Sequence, residues 1–485
     1  MKPEFLLAKL DRMPMLKAVV PFAAGILAAD RFALPLWFLA GTFLLSGVSA
    51  LLLRSPLCTL AMLFTAGFGA AQLRDTGRTV PYGVYTAYEL SVEGIPADRG
   101  RYASAEATVT AWRDPAGDRV TLHADSLTAL HPGERLRCRG TVRPLRGGAE
   151  SYRRLMTRRG FAGTIWLSER TILERLPARN TALHLHAAER MGRLRIPGDA
   201  GAVCRAMTAG DRSGITPELR AAYSRSGLSH LLAVSGLHTG IVFALVNLLL
   251  WWLPLLRRGH LLRNLLAAAC IWIYVAAAGF PPSAVRAAVM FTMLQSALAS
   301  ASEYNGLNAL AAAAFGMLLW NPAWLGDISF QLSFAAVAAI LAWGVPLCRR
   351  LRTRRRALNP ITDALAVSLA ATLATTPLVS HTFGIVPLAG VVVNPAAILL
   401  GSVVVLAGAL WMLLPVGWAA PAFECVLSHT AEGLNALARV TADLPCTAAE
   451  YALGGGATAA VYLFFTLATV AAWSAEPKKS VHLPA

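Results

Sequence analysis

The feature that most constrains this chain is a series of long, almost uncharged apolar runs. They fall at 15–30, 33–53, 56–73, 228–256, 264–280, 284–300, 307–321, 328–348, 361–379, 388–414 and 453–474. A helix needs roughly 20 apolar residues to cross the hydrocarbon core of a bilayer, and these runs lack the spaced polar positions of a soluble amphipathic helix. With 56% hydrophobic and only 15% charged residues, the composition is that of a membrane protein. The expected fold is a polytopic α-helical membrane protein of about 10–11 spans or partial spans, the shorter ones tilted, broken or partly inserted. The first run, Ala18 to Ala29, follows basic residues as a signal peptide would, but further runs follow at once, so it reads as a retained span.

Charge sets the orientation. Arg257, Arg258 and Arg263, and the dense run Arg349, Arg350, Arg352, Arg354, Arg355 and Arg356, belong in the cytoplasm by the positive-inside rule. Threading from a basic N-terminus through three spans puts residues 74–227 outside and returns both arginine loops inside. The last third is in conflict: three spans after the arginine run leave the tail outside, whereas Lys478 and Lys479 favour the inside. A re-entrant or interfacial segment there would reconcile the two.

The segments divide as N-terminal transmembrane helices over 1–79, a β domain over 80–176, amphipathic connector helices over 177–226, a transmembrane block over 227–474 and a tail over 475–485. Period-2 alternation in Tyr102 to Trp112, Arg119 to Ala124, Glu134 to Val142 and Gly163 to Ser168 predicts the small, inserted extracytoplasmic β domain. The connector carries spaced arginines and reads as lying on the membrane surface.

The net charge of +17 is carried almost wholly by arginine, which favours bidentate contact with phosphate or carboxylate and makes a polyanionic partner plausible. Alternation puts Arg135, Arg137, Arg139 and Arg143 on one strand face, with Tyr102, Trp112, Tyr152 and Trp166 as nearby stacking surfaces. A solvated strand face over an ordinary aromatic core is the plainer account of the same residues. The seven cysteines include no C-x-x-C pair, and only Cys138 falls within the β domain, so neither a disulfide framework nor a metal site is expected.

Polar residues at membrane depth are functional candidates because hydrocarbon cannot solvate them. His230, Ser235 and His238 enter the membrane together, beside Gly236. They suit a nucleophile and base, a pair of metal ligands, or the polar lining of a path or a close helix contact; the first two need a third group, and Asp211, the nearest candidate, has no spacing that argues for it. Arg286 opens a span after Pro281 and Pro282, where the helix dipole disfavours a cation, so Asp327 at the same boundary is a candidate partner. Gln331 lies one turn beyond Asp327, and Asn394-Pro395 interrupts a span and frees backbone groups to line a cavity. His184-Leu-His186-Ala-Ala-Glu189 resembles part of a hydrolytic metal motif, lacks its second half and reads as helix surface.

Several uncommon motifs occur in order: Cys204-Arg-Ala-Met-Thr-Ala-Gly-Asp-Arg-Ser-Gly, Ser226-Gly-Leu-Ser-His-Leu-Leu-Ala-Val-Ser-Gly-Leu-His238, Gly279-Phe-Pro-Pro-Ser-Ala-Val-Arg286 and Asp327-Ile-Ser-Phe-Gln-Leu-Ser-Phe334, then Thr375-Thr-Pro, Val386-Pro-Leu and Asn394-Pro395. Together they resemble the signature of the ComEC-type DNA-internalisation competence channels. The resemblance implies an OB-like β domain and a bacterial inner-membrane channel that admits one strand of transforming DNA. It makes the arginine row, with Trp112 and Trp166, the preferred DNA contact, and it marks Asp211, Arg212, His230, Ser235, Gly236, His238, Arg286, Asp327, Gln331 and Asn394 as channel-lining or motif positions. It further implies membrane lipid around the channel, a periplasmic DNA receptor, a cytoplasmic ATP-driven motor and a separate nuclease as partners, homo-oligomerisation being compatible with it. No cofactor and no catalytic residue are expected. Many members carry a C-terminal metallo-β-lactamase-like domain, which the sequence after the last apolar run does not contain. Some members are expected to have a disulfide in the outer domain, which Cys138 alone cannot make. There is no P-loop, so energy comes from elsewhere. Two other classes fit the residues alone: an intramembrane hydrolase using Ser235 and His238, and a transporter of another anionic polymer or lipid.

Overall fold

The computed structural model describes Asp11 and residues 13–475 other than 75–79, 94, 99–101, 112–117, 126–127, 129, 146–155, 158–159, 177–182, 258, 300–303, 355, 414–416 and 446. Trp112, Tyr152, Arg258, Arg355, Lys478 and Lys479 therefore lie outside the described residues.

The chain opens with helices α1 (Pro14–Ala29), α2 (Leu36–Leu53) and α3 (Pro56–Arg74). Gly25 and Gly67 let α1 and α3 touch backbone to backbone: a Cβ at Gly25 would stand 2.0 Å from the Phe64 carbonyl oxygen, and one at Gly67 2.0 Å from that of Phe22. Small residues serve this purpose where lipid provides no hydrophobic drive to hold helices together.

A sheet domain follows, with β1 (Tyr85–Val92), β2 (Ala97–Asp98), β3 (Tyr102–Ala111), β4 (Arg119–Asp125), β5 (Arg135–Thr141), β6 (Phe161–Leu167) and β7 (Ile172–Leu176). The strand order is β6-β4-β3-β1-β5-β7, with β4 and β6 parallel, β2 added to β3, and an isolated antiparallel bridge from Arg143, just after β5, to Thr164 in β6. The alternation seen in the sequence has its expected cause: Leu90, Val120, Leu122, Leu136, Cys138 and Ile165 point into one core, all at 0% exposure. Burial in that core pushes the Cys138 thiol up to about 12, so it is an inert core residue.

Three short helices, α4 (Leu183–Gly192), α5 (Gly198–Thr208) and α6 (Pro217–Arg225), lead into the helical block. One of them is packed inside the block. Val203, Cys204, Ala206 and Met207 of α5 are fully packed into the same core as the long helices, because this stretch is alanine-rich and presents no charged face along its buried length. The block continues with α7 (Gly236–Leu249), α8 (Gly259–Ala277), α9 (Pro282–Ala299), α10 (Gly306–Trp320), α11 (Ile328–Leu351, with a π-helical turn at Ile340–Gly344) and α12 (Asn359–Phe383). Then come β8 (Ile385–Pro387), α13 (Gly390–Leu413), α14 (Ala420–Asp443), β9 (Ala448–Glu450) and α15 (Gly455–Ala475).

Eight described helices are long and apolar enough to cross a membrane: α2, α3, α7 with its extension to Leu255, α8, α11, α12, α13 and α15. α1 and α10 are apolar but shorter, and α9 carries Arg286 and Gln295 and is less apolar than the eight. The count is thus lower than the apolar runs suggest. In the other direction, α14 forms where no run was expected, because its apolar residues occupy one face only: Leu427, Ala431, Leu434, Asn435 and Ala438 are buried against α13, α5 and α6.

The packing of α15 bears on the conflict over the tail. β8 pairs antiparallel with β9, so the end of α12 and the start of α15 lie together. Ser380 Oγ donates to the Tyr451 carbonyl at 2.5 Å and Tyr462 OH to that of Ala374 at 2.6 Å, so α15 runs antiparallel to α12, back towards the end where the arginine run 349–356 precedes α12. The C-terminal end of α15 therefore lies at the same end of the block as the arginine run.

Replacing Gly67 by Val should push α1 and α3 apart and cost about 1–3 kcal/mol, the usual cost of overpacking. It is checked as a drop in the thermal midpoint of the detergent-solubilised protein, whereas Gly69→Val, with nothing within 4 Å of its Cβ position, should leave the midpoint unchanged.

Candidate nucleic-acid interface

The arginine row lies on the outward face of β5, but its members are not equivalent. Register explains why. Arg137 stands opposite Glu89 on β1 and Glu174 on β7, and donates to Glu174 at 2.8 Å and to Glu89 at 3.4 Å. Arg135 also pairs with Glu89. The hydrogen bond from Arg135 holds the Glu89 carboxyl below the usual carboxylate range, aided by Arg137 and opposed by burial. Arg139 and Arg143 are exposed and have no carboxylate within 4.0 Å among the described residues.

Trp166 is 49% exposed. The Arg143–Thr164 bridge places it, two residues further along β6, on the same outward face and between the levels of Arg139 and Arg143. Its ring packs 5.3 Å from Tyr102 and 4.9 Å from His123. His123 had no sequence signal beyond alternation; its place in this aromatic patch depends on β4 and β6 being parallel neighbours.

Between the sheet domain and the helical block lies a cleft of about 1160 Å³. Glu89, Glu93, Glu106, Arg119 and Arg135 face it from the domain, and His184, Asp211, Arg212, Arg220 and Phe280 from the block. Arg119 is engaged by Glu106 at 2.6 Å and Glu93 at 3.2 Å. The His184 ring lies 3.3 Å from the Glu93 carbonyl oxygen, so the fragment dismissed as helix surface helps seat the domain.

The motif around Asp211 is built to project Arg212. Gly210 adopts φ +75° against the Ala278 carbonyl, where a Cβ would stand 2.9 Å away. Asp211 is buried, accepts from the Ser213 amide at 2.9 Å and pairs with Arg205 at 3.6 Å. Arg212 keeps access to water and has no carboxylate within 4.0 Å among the described residues. Enclosure in the cleft, and then the Arg220 charge, push its guanidinium down from its ordinary value.

Ser235 and His238 are brought together as a helix cap. The His238 amide donates to Ser235 Oγ at 3.4 Å, and the Ser235 amide donates to His238 Nδ1 at 3.2 Å. The ring nitrogen that a base would use is thereby occupied by the backbone, which fixes the proton on Nε2, an atom buried without a partner. His230 Nδ1 lies 3.2 Å from the Gly227 carbonyl. Gly236 is required by close approach: a Cβ there would stand 2.2 Å from Arg286 Nη2.

The expected Arg286–Asp327 pair does not form. Arg286, 5% exposed, donates from Nε to Ser333 Oγ at 3.0 Å, and Asp327 instead caps α11 by accepting from the amides of Ser329 at 2.7 Å and Phe330 at 3.4 Å. An N-cap carboxylate favours its own helix dipole, which outweighs reaching across to the cation. Gln331 donates to the Leu325 carbonyl at 2.8 Å, and Asn394 to Ser368 Oγ at 3.0 Å. No group of three or more potential metal ligands occurs among the described residues.

The motifs of the helical block lie within a region, residues 207–477, that matches the family model described as Competence protein, over more than half of the chain. The chain belongs to the ComEC-type competence protein family. A similar curated protein is ComE operon protein 3 of Bacillus subtilis (strain 168), 32% identical over 146 residues, which are 30% of this chain. The match spans 18% of that relative's length. No solved structure matches. The family match begins at Met207, so it takes in Asp211 and Arg212 of the cleft but not the sheet domain with its arginine row.

Two outcomes follow. Because the Glu89 pKa is depressed by folding, its contribution is complete above the unfolded value of about 4.5 and is lost as pH falls through the lower folded value. Hydrogen-exchange protection of β1 and β5, corrected for intrinsic rates, should be flat above about pH 5 and fall below about pH 4, and Glu89→Gln should remove that fall. Ser235→Ala should cost about 1 kcal/mol of stability through the lost cap, read as a thermal shift.

Proposed function

We propose that this protein is an inner-membrane channel that passes one strand of transforming DNA into the cytoplasm during natural competence. Its β domain stands on the extracytoplasmic side and receives the strand. The observations that carry this reading are an exposed patch on the sheet domain, Arg139, Arg143 and Trp166, and a cleft between that domain and the family-matched block that contains Arg212 and Arg220. Unpaired arginines suit phosphates and an exposed ring suits any base, the combination by which single strands are held without sequence preference.

Family membership and the name of the Bacillus relative support a role in DNA uptake. An OB-like identity for the sheet domain is supported by its strand path, in which β4 and β6 are parallel and the Arg143–Thr164 bridge joins β5 to β6. The arginine run before α12 supports a cytoplasmic face at that end, and β8–β9 then lie towards the outside. We read the chain as having no hydrolase activity of its own, since Ser235 Oγ and His238 Nδ1 are both engaged in a helix cap. A periplasmic DNA receptor, a separate nuclease and a cytoplasmic ATP-driven motor complete the machine.

The test is internalisation of labelled DNA by competent cells. Deletion should leave DNA bound outside and none in the cytoplasm. Trp166→Ala should weaken oligonucleotide binding by about 1–3 kcal/mol, and Arg139→Ala with Arg143→Ala should reduce uptake more than Arg135→Ala with Arg137→Ala, whose arginines are already paired. Normal internalisation after deletion would overturn the reading. Tight binding of other polyanions with no binding of single-stranded DNA would point to a different cargo.

A further inference from the structure

Helix α6 carries a feature that a receiving cleft alone does not require. Its Arg220 borders both the cleft under the β domain and a second cavity of about 470 Å³. α6 walls this second cavity with Arg220, Ala221, Ser224 and Arg225, and β8 and β9 face it through Ile385, Ala448 and Glu450. The spacing of the four α6 residues keeps them on one side of the helix.

The helix that presents them is fixed at both ends. At its start Thr216 Oγ1 accepts from the Leu219 amide at 3.2 Å, ahead of Pro217 in the first turn. Just past its end Gly227 adopts φ +78°, where a Cβ would stand 3.1 Å from both Gly390 and Pro387. Arg212, Arg220 and Arg225 are all exposed and none has a carboxylate within 4.0 Å among the described residues. This contrasts with Arg119, Arg135, Arg137 and Arg175 of the sheet domain, each of which is paired. Unpaired guanidinium groups in sequence along two cavities that share Arg220 in their walls suit an anionic polymer.

We propose that the cavity between α6 and the β8–β9 pair is a phosphate-binding station for single-stranded DNA, taking the backbone from the cleft at Arg220 and holding it with Ser224 and Arg225. This rests on the reading of the cleft as the receiving site. Glu450 in the opposite wall limits how tightly an anion is held, as a station in a conducting path requires: a strand must leave as readily as it enters.

The experiment uses the whole chain in nanodiscs of phosphatidylcholine and measures anisotropy of a labelled oligothymidylate across a salt series. Arg220→Gln with Arg225→Gln should lower the slope of log K against log salt by about 1.4, since each phosphate contact on a single strand contributes about 0.7. Arg220→Lys with Arg225→Lys should keep the slope, and Arg212→Gln, in the cleft, should lower it by about 0.7 independently. Ser224→Cys carrying a photo-cross-linker, with all arginines retained, should capture the oligonucleotide even if the glutamine variant folds poorly. An unchanged slope in a folded glutamine variant, or no capture at Ser224, overturns the station. So does a variant that alters the protein only when phosphatidylglycerol is added to the nanodisc, which would assign the cavity to a lipid headgroup. If the unaltered protein shows no salt-dependent binding of the oligothymidylate, the receiving cleft itself fails; loss on Arg212→Gln alone spares the cleft and rejects the station.

Discussion

The entrance of the helical block depends on one buried cation. Arg286 lies against Gly236 at the start of α7, hydrogen-bonds Ser333 on α11 and sits 5.9 Å above the Phe334 ring. A guanidinium so placed is costly unless its geometry is fully specified. The surrounding sequence supplies that specification: glycine where any Cβ would collide, serine where a donor needs an acceptor, and a ring face on the remaining side. Three helices are thereby locked at one level. The Ser235–His238 cap begins α7 beside it, and the Gly210 loop that carries Arg212 lies against Ala278, in the turn just before α9.

Charge in this molecule is sorted by neighbours more than by number. Within the sheet domain, nearby carboxylates pair with Arg119, Arg135, Arg137 and Arg175. Arg139 and Arg143 escape because no acidic residue is registered opposite them; Arg139 faces Ala87. On the helical side, Asp211 beside Arg212 is committed to Arg205 and to its own loop, and no carboxylate lies within 4.0 Å of Arg212, Arg220 or Arg225 among the described residues. Besides the arginine run before α12, a chain of net charge +17 thus leaves several arginines of the sheet domain and the cleft without a carboxylate among the described residues.

What the sequence made legible follows from which interactions are local. Apolar run length located most of the long helices, and period-2 alternation located β3, β4, β5 and β6, because both patterns are written within a single element. α14 escaped because a helix with one polar face contains no run to detect. The ends of a run also overstate what can cross, as α9 illustrates. Of the candidate site, the outward arginine row was readable from alternation, but its division into paired and unpaired members depends on strands β1 and β7, far away in sequence. His123, His184 and Arg220 acquire their roles only through parallel pairing or domain docking, which no local spacing encodes. The Arg286–Asp327 expectation failed for a related reason: proximity to a common boundary does not decide between capping one's own helix and bridging to another.

The β8–β9 pair has a consequence for how the protein is made. Ile385 to Pro387 can find their partners only after Ala448 to Glu450 have left the ribosome, about 60 residues later, and both strands are only three residues long. Insertion of α12 and α13 therefore leaves backbone groups of β8 waiting, with α13 unclosed until α14 has returned and β9 has docked. The short sheet is a late clasp. Its formation completes one wall of the α6 cavity, so that cavity is walled only after Ala448 to Glu450 have been synthesised.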